Sequence, residues 1–121
     1  MRYLLLIYGD EARGGAMGEG DLAASAQAWF EYTDWLAGQG WMKAGDALHP
    51  STEATTVKVA DGERIVTDGP FAETKEQLGG YYEIDVPNLD DAIDAAARCP
   101  GAATGTMEIR PVADLPPRQE G

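Results

Sequence analysis

Six successive positions near the start of the chain, Tyr3-Leu4-Leu5-Leu6-Ile7-Tyr8, are aliphatic or aromatic. A strand with one wet face alternates apolar and polar residues, so this run predicts a strand covered on both faces. The following stretch, residues 9–20, is rich in glycine and charge and predicts a flexible loop. From 22 to 39 apolar residues recur at helical spacing, with Leu22, Ala26, Trp29, Phe30, Thr33, Leu36 and Ala37 as the inward stripe. Asp21 is placed to cap this helix, and Gly38 and Gly40 to stop it. Trp29 and Phe30 read as core. Trp35 and Trp41 lie near the edge of the stripe, where packing and contact with a pocket or partner are both open.

Residues 41–48 predict a second strand, weakened by Gly45, and His49-Pro50-Ser51 a loop. Thr55 to Ala60 and Glu63 to Thr67 flank Asp61-Gly62, a hairpin signal. A two-residue loop there sets Val57 opposite Val66 and Val59 opposite Arg64. Asp68-Gly69-Pro70 turns the chain, since Gly tolerates positive φ and Pro fixes its own. Pro70 suits the start of a short helical turn, with Phe71 as its apolar anchor and Gly79-Gly80 as its end. Tyr81 to Val86 returns as a strand. Asn88 caps a second helix, with Asp90 and Asp91 in its first turn and Leu89, Ile93, Ala96 and Ala97 as its buried stripe. Cys99-Pro100-Gly101 stops it. Thr106 to Val112 is a last strand, and 115–121 an extended tail.

The order β-α-β-(hairpin)-β-α-β predicts an α+β, ferredoxin-like domain over residues 1–113, with a tail over 114–121. Two helices on one face of a mainly antiparallel sheet leave the other face open. Because the first strand wants cover on both sides, a homodimer is expected, each sheet sheltering the other.

Charge narrows the partners. Nine basic and 21 acidic residues give a net charge of −12, which repels a phosphate backbone, so neither nucleic acid nor an anionic membrane is an expected partner. A basic protein partner stays open. No apolar run approaches the ~18 residues of a spanning helix, and the short opening run is followed by an acidic loop, unlike a secretory leader. The cytoplasm is the expected compartment. A single cysteine, Cys99, excludes an internal disulfide or a multi-Cys metal site. No phosphate-binding glycine loop, nucleophile elbow or zinc-binding HExxH occurs, so no cofactor and no metal are expected.

Turn formers, charges and aromatics are densest between Thr67 and Tyr82. The nine residues Asp68-Gly69-Pro70-Phe71-Ala72-Glu73-Thr74-Lys75-Glu76 resemble the signature of the DGPF branch of the YCII-related proteins. The likeness extends through Tyr3–Tyr8, Gln77-Leu78-Gly79-Gly80 and Glu108-Ile109-Arg110-Pro111-Val112. It implies a dimeric α/β barrel with a cleft in each subunit near the interface, and no particular reaction.

Asp68 follows a strand at a turn, where a carboxylate acts as a general base or ligand holder, or bonds the backbone ahead of it to form the turn. Around it the cleft is expected to draw on Tyr8, Asp46, Gly69, Pro70, Phe71 and Tyr81. Glu73, Lys75 and Glu76 suit a polar ligand, intersubunit ion pairs or a solvated surface. Glu73 and Glu76 would share a face of a helical turn, but a pair of carboxylates is too few for a cation. His49 is the lone histidine, either a proton carrier or a surface residue. The founding branch of the family pairs a histidine near the first helix with an aspartate. This chain has only Glu31 or Tyr32 near that place, and neither does the same job. Three readings follow from the resemblance and the residues: a small-ligand-binding dimer with acid–base chemistry on a small polar compound, an accessory partner of sigma-factor-type regulators, or a motif whose role is purely structural, stabilising the dimer.

Overall fold

The computed structural model describes residues 1–15 and 17–119. In chain order its elements are β1 (Arg2–Gly9), α1 (Glu11–Gly15), α2 (Glu19–Gly38), β2 (Met42–Ala47), a 3-10 turn (Ser51–Glu53), β3 (Thr55–Ala60), β4 (Glu63–Asp68), β5 (Gln77–Asp85), α3 (Leu89–Arg98), α4 (Pro100–Thr104) and β6 (Thr106–Pro111). Four strands form one sheet in the order β2-β5-β1-β6, and β3 and β4 form a separate two-stranded sheet. Every pairing is antiparallel. With the hairpin set aside this is the ferredoxin-like α+β plan.

β1 is central, between β5 and β6. Tyr3 and Leu5 point into the core, paired with Ile84 and Tyr82 of β5. Leu4 and Leu6 fall on the opposite, helix-free face and are half-buried. The core is completed by Tyr32 and Leu36 of α2, by Ala92, Ala95 and Ala96 of α3, and by Cys99.

The inward stripe of α2 is rotated from the expected one. Tyr32 and Leu36 are buried and Trp29 and Trp35 pack against the core, whereas Phe30 is 65 % exposed and Leu22 and Ala26 are also exposed. Adjacent helical positions diverge by ~100°, so Trp29 and Phe30 cannot both face in. Tyr32 decides the rotation. Its hydroxyl donates to the Ala95 carbonyl at 2.7 Å. Near the end of α3 that carbonyl is not taken by Cys99, whose N–H goes to Ala96. α3 likewise buries Ala92, Ala95 and Ala96, which lets it sit close to its neighbours, and leaves Leu89, Ile93 and Ala97 exposed. Asn88 caps α3 as expected, accepting from the Asp91 N–H at 2.9 Å.

Other boundaries differ. The predicted loop over 9–20 contains α1, and α2 begins at Glu19 after Gly18, with Asp21 in its first turn rather than at its cap. Pro100 stops α3 but opens α4. Residues 69–76 form no helical turn, so Glu73 and Glu76 share no helix face. Phe71 is 91 % exposed and anchors nothing in the core. Gly79 and Gly80 lie inside β5 rather than before it. The hairpin forms as expected, and its register, which the sequence left open, is that of a two-residue loop, Val57 opposite Val66 and Val59 opposite Arg64. Asp61 and Gly62 both adopt positive φ, 49° and 77°, as its tight turn requires.

Candidate functional site

A cleft of about 500 Å3 opens between α2 and the sheet, at the ends of β1, β2 and β5. Ile7, Trp29, Met42 and Tyr82 supply apolar walls, Asp10 and Glu11 are acidic residues of the lining, and Asp46 borders the cleft through its backbone, its side chain lying with Tyr81 on the other face of the sheet. Trp29 stacks near-parallel to Tyr82 with ring centroids 6.5 Å apart. The Tyr82 hydroxyl is 2.7 Å from Thr33 Oγ1, which fixes the ring from the helix side. Gly45 makes this possible, since a Cβ there would lie 2.7 Å from Tyr82 Cδ1. Gly80 has a similar role, because a Cβ would sit 2.8 Å from the Asp46 carbonyl oxygen. Small residues in β2 and β5 therefore let the two backbones close on the ring.

Each carboxylate is oriented by a neighbour. Asp10 Oδ1 accepts from the Ala12 N–H at 3.0 Å. Glu11 receives both the N–H and the hydroxyl of Ser51, each at 2.7 Å, and its own N–H donates to Gln77 Oε1 at 3.0 Å. This latch fastens α1 to the loop before β3. Asp46 Oδ2 accepts from the Tyr81 hydroxyl at 2.8 Å. The bond to Asp46 holds the Tyr81 proton in place and pushes that phenol above its ordinary value.

The sequence model of the YCII-related domain matches residues 1–116. The chain belongs to the YCII-related family. It is 39 % identical over 122 residues to Uncharacterized protein R00369 of Rhizobium meliloti (strain 1021), with 93 % of each chain covered.

In this YCII-related chain the residues singled out from sequence do not converge on one place. Tyr8 and Asp46 line the cleft under α2. Tyr8, His49, Pro70 and Phe71 line a second hollow of about 510 Å3, on the side of the motif. Asp68, Gly69, Glu73, Lys75 and Tyr81 line neither. Asp68 ends β4 opposite Thr55 and is exposed. Gly69, at φ +97°, donates its N–H to the Ala54 carbonyl and accepts from Thr56 Oγ1, both at 2.7 Å. These bonds make the motif's start a pinned turn. Glu73 and Lys75 are exposed, while Glu76 accepts from Thr106 Oγ1 at 2.7 Å. His49 is exposed and meets Glu53 at 3.1 Å.

Sequence reasoning missed Asp10, Glu11 and Thr33, and assigned Trp29 to the core alone. The one local signal was an acidic pair directly after the first strand. Cys99 lies in the core, where burial pushes its thiol up to about 11. Among the described residues no group of three or more His, Cys, Asp or Glu is placed to hold a metal ion, and no helix is long and apolar enough to cross a membrane.

Proposed function

We propose that this YCII-related protein, of the branch marked by Asp68–Glu76, is a small-ligand-binding homodimer whose binding site is the cleft under α2. One observation carries the reading: a hollow of about 500 Å3 with aromatic and aliphatic walls and acidic residues among its lining. Apolar walls supply affinity in such sites, and a few polar groups fix orientation. Acid–base chemistry on a small polar compound is the reaction class that fits this reading.

The dimer rests on β1. Leu4 and Leu6 remain half-exposed on the helix-free face of the central strand. A second sheet laid against them gains about 25 cal/mol for each Å2 of apolar surface it covers. A second reading, an accessory protein acting through contact with a regulator of the sigma-factor type, is favoured by Phe71 and by Val57, Val59 and Val66 of the hairpin, all exposed.

Native mass spectrometry of the purified full chain tests the first reading. It predicts a small-molecule adduct, lost in Ala47→Trp, which fills the cleft from an exposed strand position. An adduct that survives this substitution contradicts the assignment. Absence of any adduct, together with a protein partner whose capture depends on Phe71, supports the accessory reading instead. Sedimentation of Leu6→Asp tests the dimer, which it is expected to break into monomers.

A further inference from the structure

We propose that the β3–β4 hairpin is a self-complementary docking face, packed in solution against the same hairpin of a second copy of this chain. It extends the homodimer reading above to residues which that reading does not use. No residue of the hairpin strands is buried: β4 is exposed at all six positions, and only Thr56 and Ala60 of β3 are partly covered. A lone two-stranded ribbon is marginal in water and needs a packed face to hold its shape. Register and strand alternation put Val57, Val59 and Val66 on one face, with Thr55, Arg64 and Asp68. Lys58, Glu63 and Thr67 fall on the other, the face suited to water, with Ile65 the one large apolar side chain among them. The three valines are 60 %, 68 % and 57 % exposed, so the apolar face is left uncovered by its own chain.

The charges on the valine face name the occupant. Arg64 stands near the turn and Asp68 at the open end of the same strand, about 13 Å apart at strand rise. Neither makes an ion pair among the described residues. Val57 and Val66, which are register partners, lie midway between them. Two hairpins laid face to face about a two-fold axis through this middle pair run in opposite senses, so each Arg64 meets the partner's Asp68. Valines meet at the centre, and two opposite-charge pairs close the ends. The chain carries −12 overall, yet this face is neutral, one Arg against one Asp. Two acidic copies can approach there without repulsion, whereas a basic regulator finds no net charge to pair with.

Sedimentation of the full chain across a concentration series tests the contact. Arg64→Glu and Asp68→Lys each set like charges against one another at both ends, and each is expected to weaken self-association about tenfold or more. An equimolar mixture of the two variants should recover the parent's affinity, because both ends match again in the mixed pair. Val57→Asp is expected to weaken association by a similar factor, with Val59→Asp the parallel variant should it fold poorly. A mixture that associates no better than either variant alone overturns the hairpin assignment, as does parent-like sedimentation of the valine variants. If Leu6→Asp is monomeric in the same runs while the hairpin variants behave as the parent does, the β1 contact stands and this one falls. A parent chain that stays monomeric at every concentration overturns both and leaves the valine face to another partner.

Discussion

Tyr81 donates its phenolic hydrogen to Asp46 Oδ2 at 2.8 Å, across strands where the two are register partners. Both side chains lie on the helix-free face of the sheet, opposite the face that Gly45 and Tyr82 turn to the cleft. The carboxylate raises the phenol's pKa above 10.0, chiefly through that hydrogen bond. Asp46→Asn is expected to bring the Tyr81 titration back down toward its ordinary value, read by the ring-carbon shift in an NMR pH series. A Tyr81 titration indifferent to this substitution would separate the two side chains in solution.

Tyr32 makes the corresponding link between helices. Tyr32→Phe keeps the ring but leaves the Ala95 carbonyl without its partner in a buried place. The expected loss is about 1–3 kcal/mol of stability. Urea unfolding of the two proteins measures it. Phe30→Ala, at an exposed position on the same helix, should stay within about 0.5 kcal/mol of the parent.

The neighbouring glycines of β5 give a matched pair. At Gly80 a methyl would meet the Asp46 carbonyl oxygen at 2.8 Å, whereas at Gly79 the nearest atom is the Ile7 carbonyl oxygen at 3.9 Å. Gly80→Ala is expected to cost about 1–3 kcal/mol by forcing β2 away from β5. Gly79→Ala should be neutral or gain about 0.5 kcal/mol by restricting the unfolded chain. Thermal unfolding of both variants checks the ordering.

Burial raises the Cys99 thiol from 9.0 to about 11, and burial raises the Tyr32 and Tyr82 phenols as well. The unfolded chain therefore loses these protons at lower pH than the folded one. The stability they confer is complete below pH 9.0 and falls as pH climbs through about 11. Urea midpoints measured from pH 8 upward should decline over that window, and less steeply in Cys99→Ala.

The strands and the hairpin were legible because their signals are local. Six apolar residues in a row mark β1, and Asp61-Gly62 marks the hairpin turn, though the pairing of Val57 with Val66 came only with the structure. The helix faces were less legible. The expected stripe took in Trp29 and Phe30 and left out Tyr32, and the rotation that buries Tyr32 instead is fixed by the Ala95 carbonyl, a partner 63 residues away. The cleft was hidden for the same reason, since Ile7, Trp29, Asp46 and Tyr82 meet only after the sheet has assembled. The densest motif pointed elsewhere. Its start is held by the Gly69 N–H donating to the Ala54 carbonyl and by the Thr56 hydroxyl donating to the Gly69 carbonyl, and its aromatic faces water.

The location of the site is the claim on which the functional account depends. Amide shift mapping of the full chain, titrated with a small-fragment set, tests it most directly. The account predicts perturbations clustered on the Trp29 indole and on the amides of Thr33, Asp46 and Gly80. Perturbations confined to Asp68–Lys75, with those four signals unmoved, would contradict it.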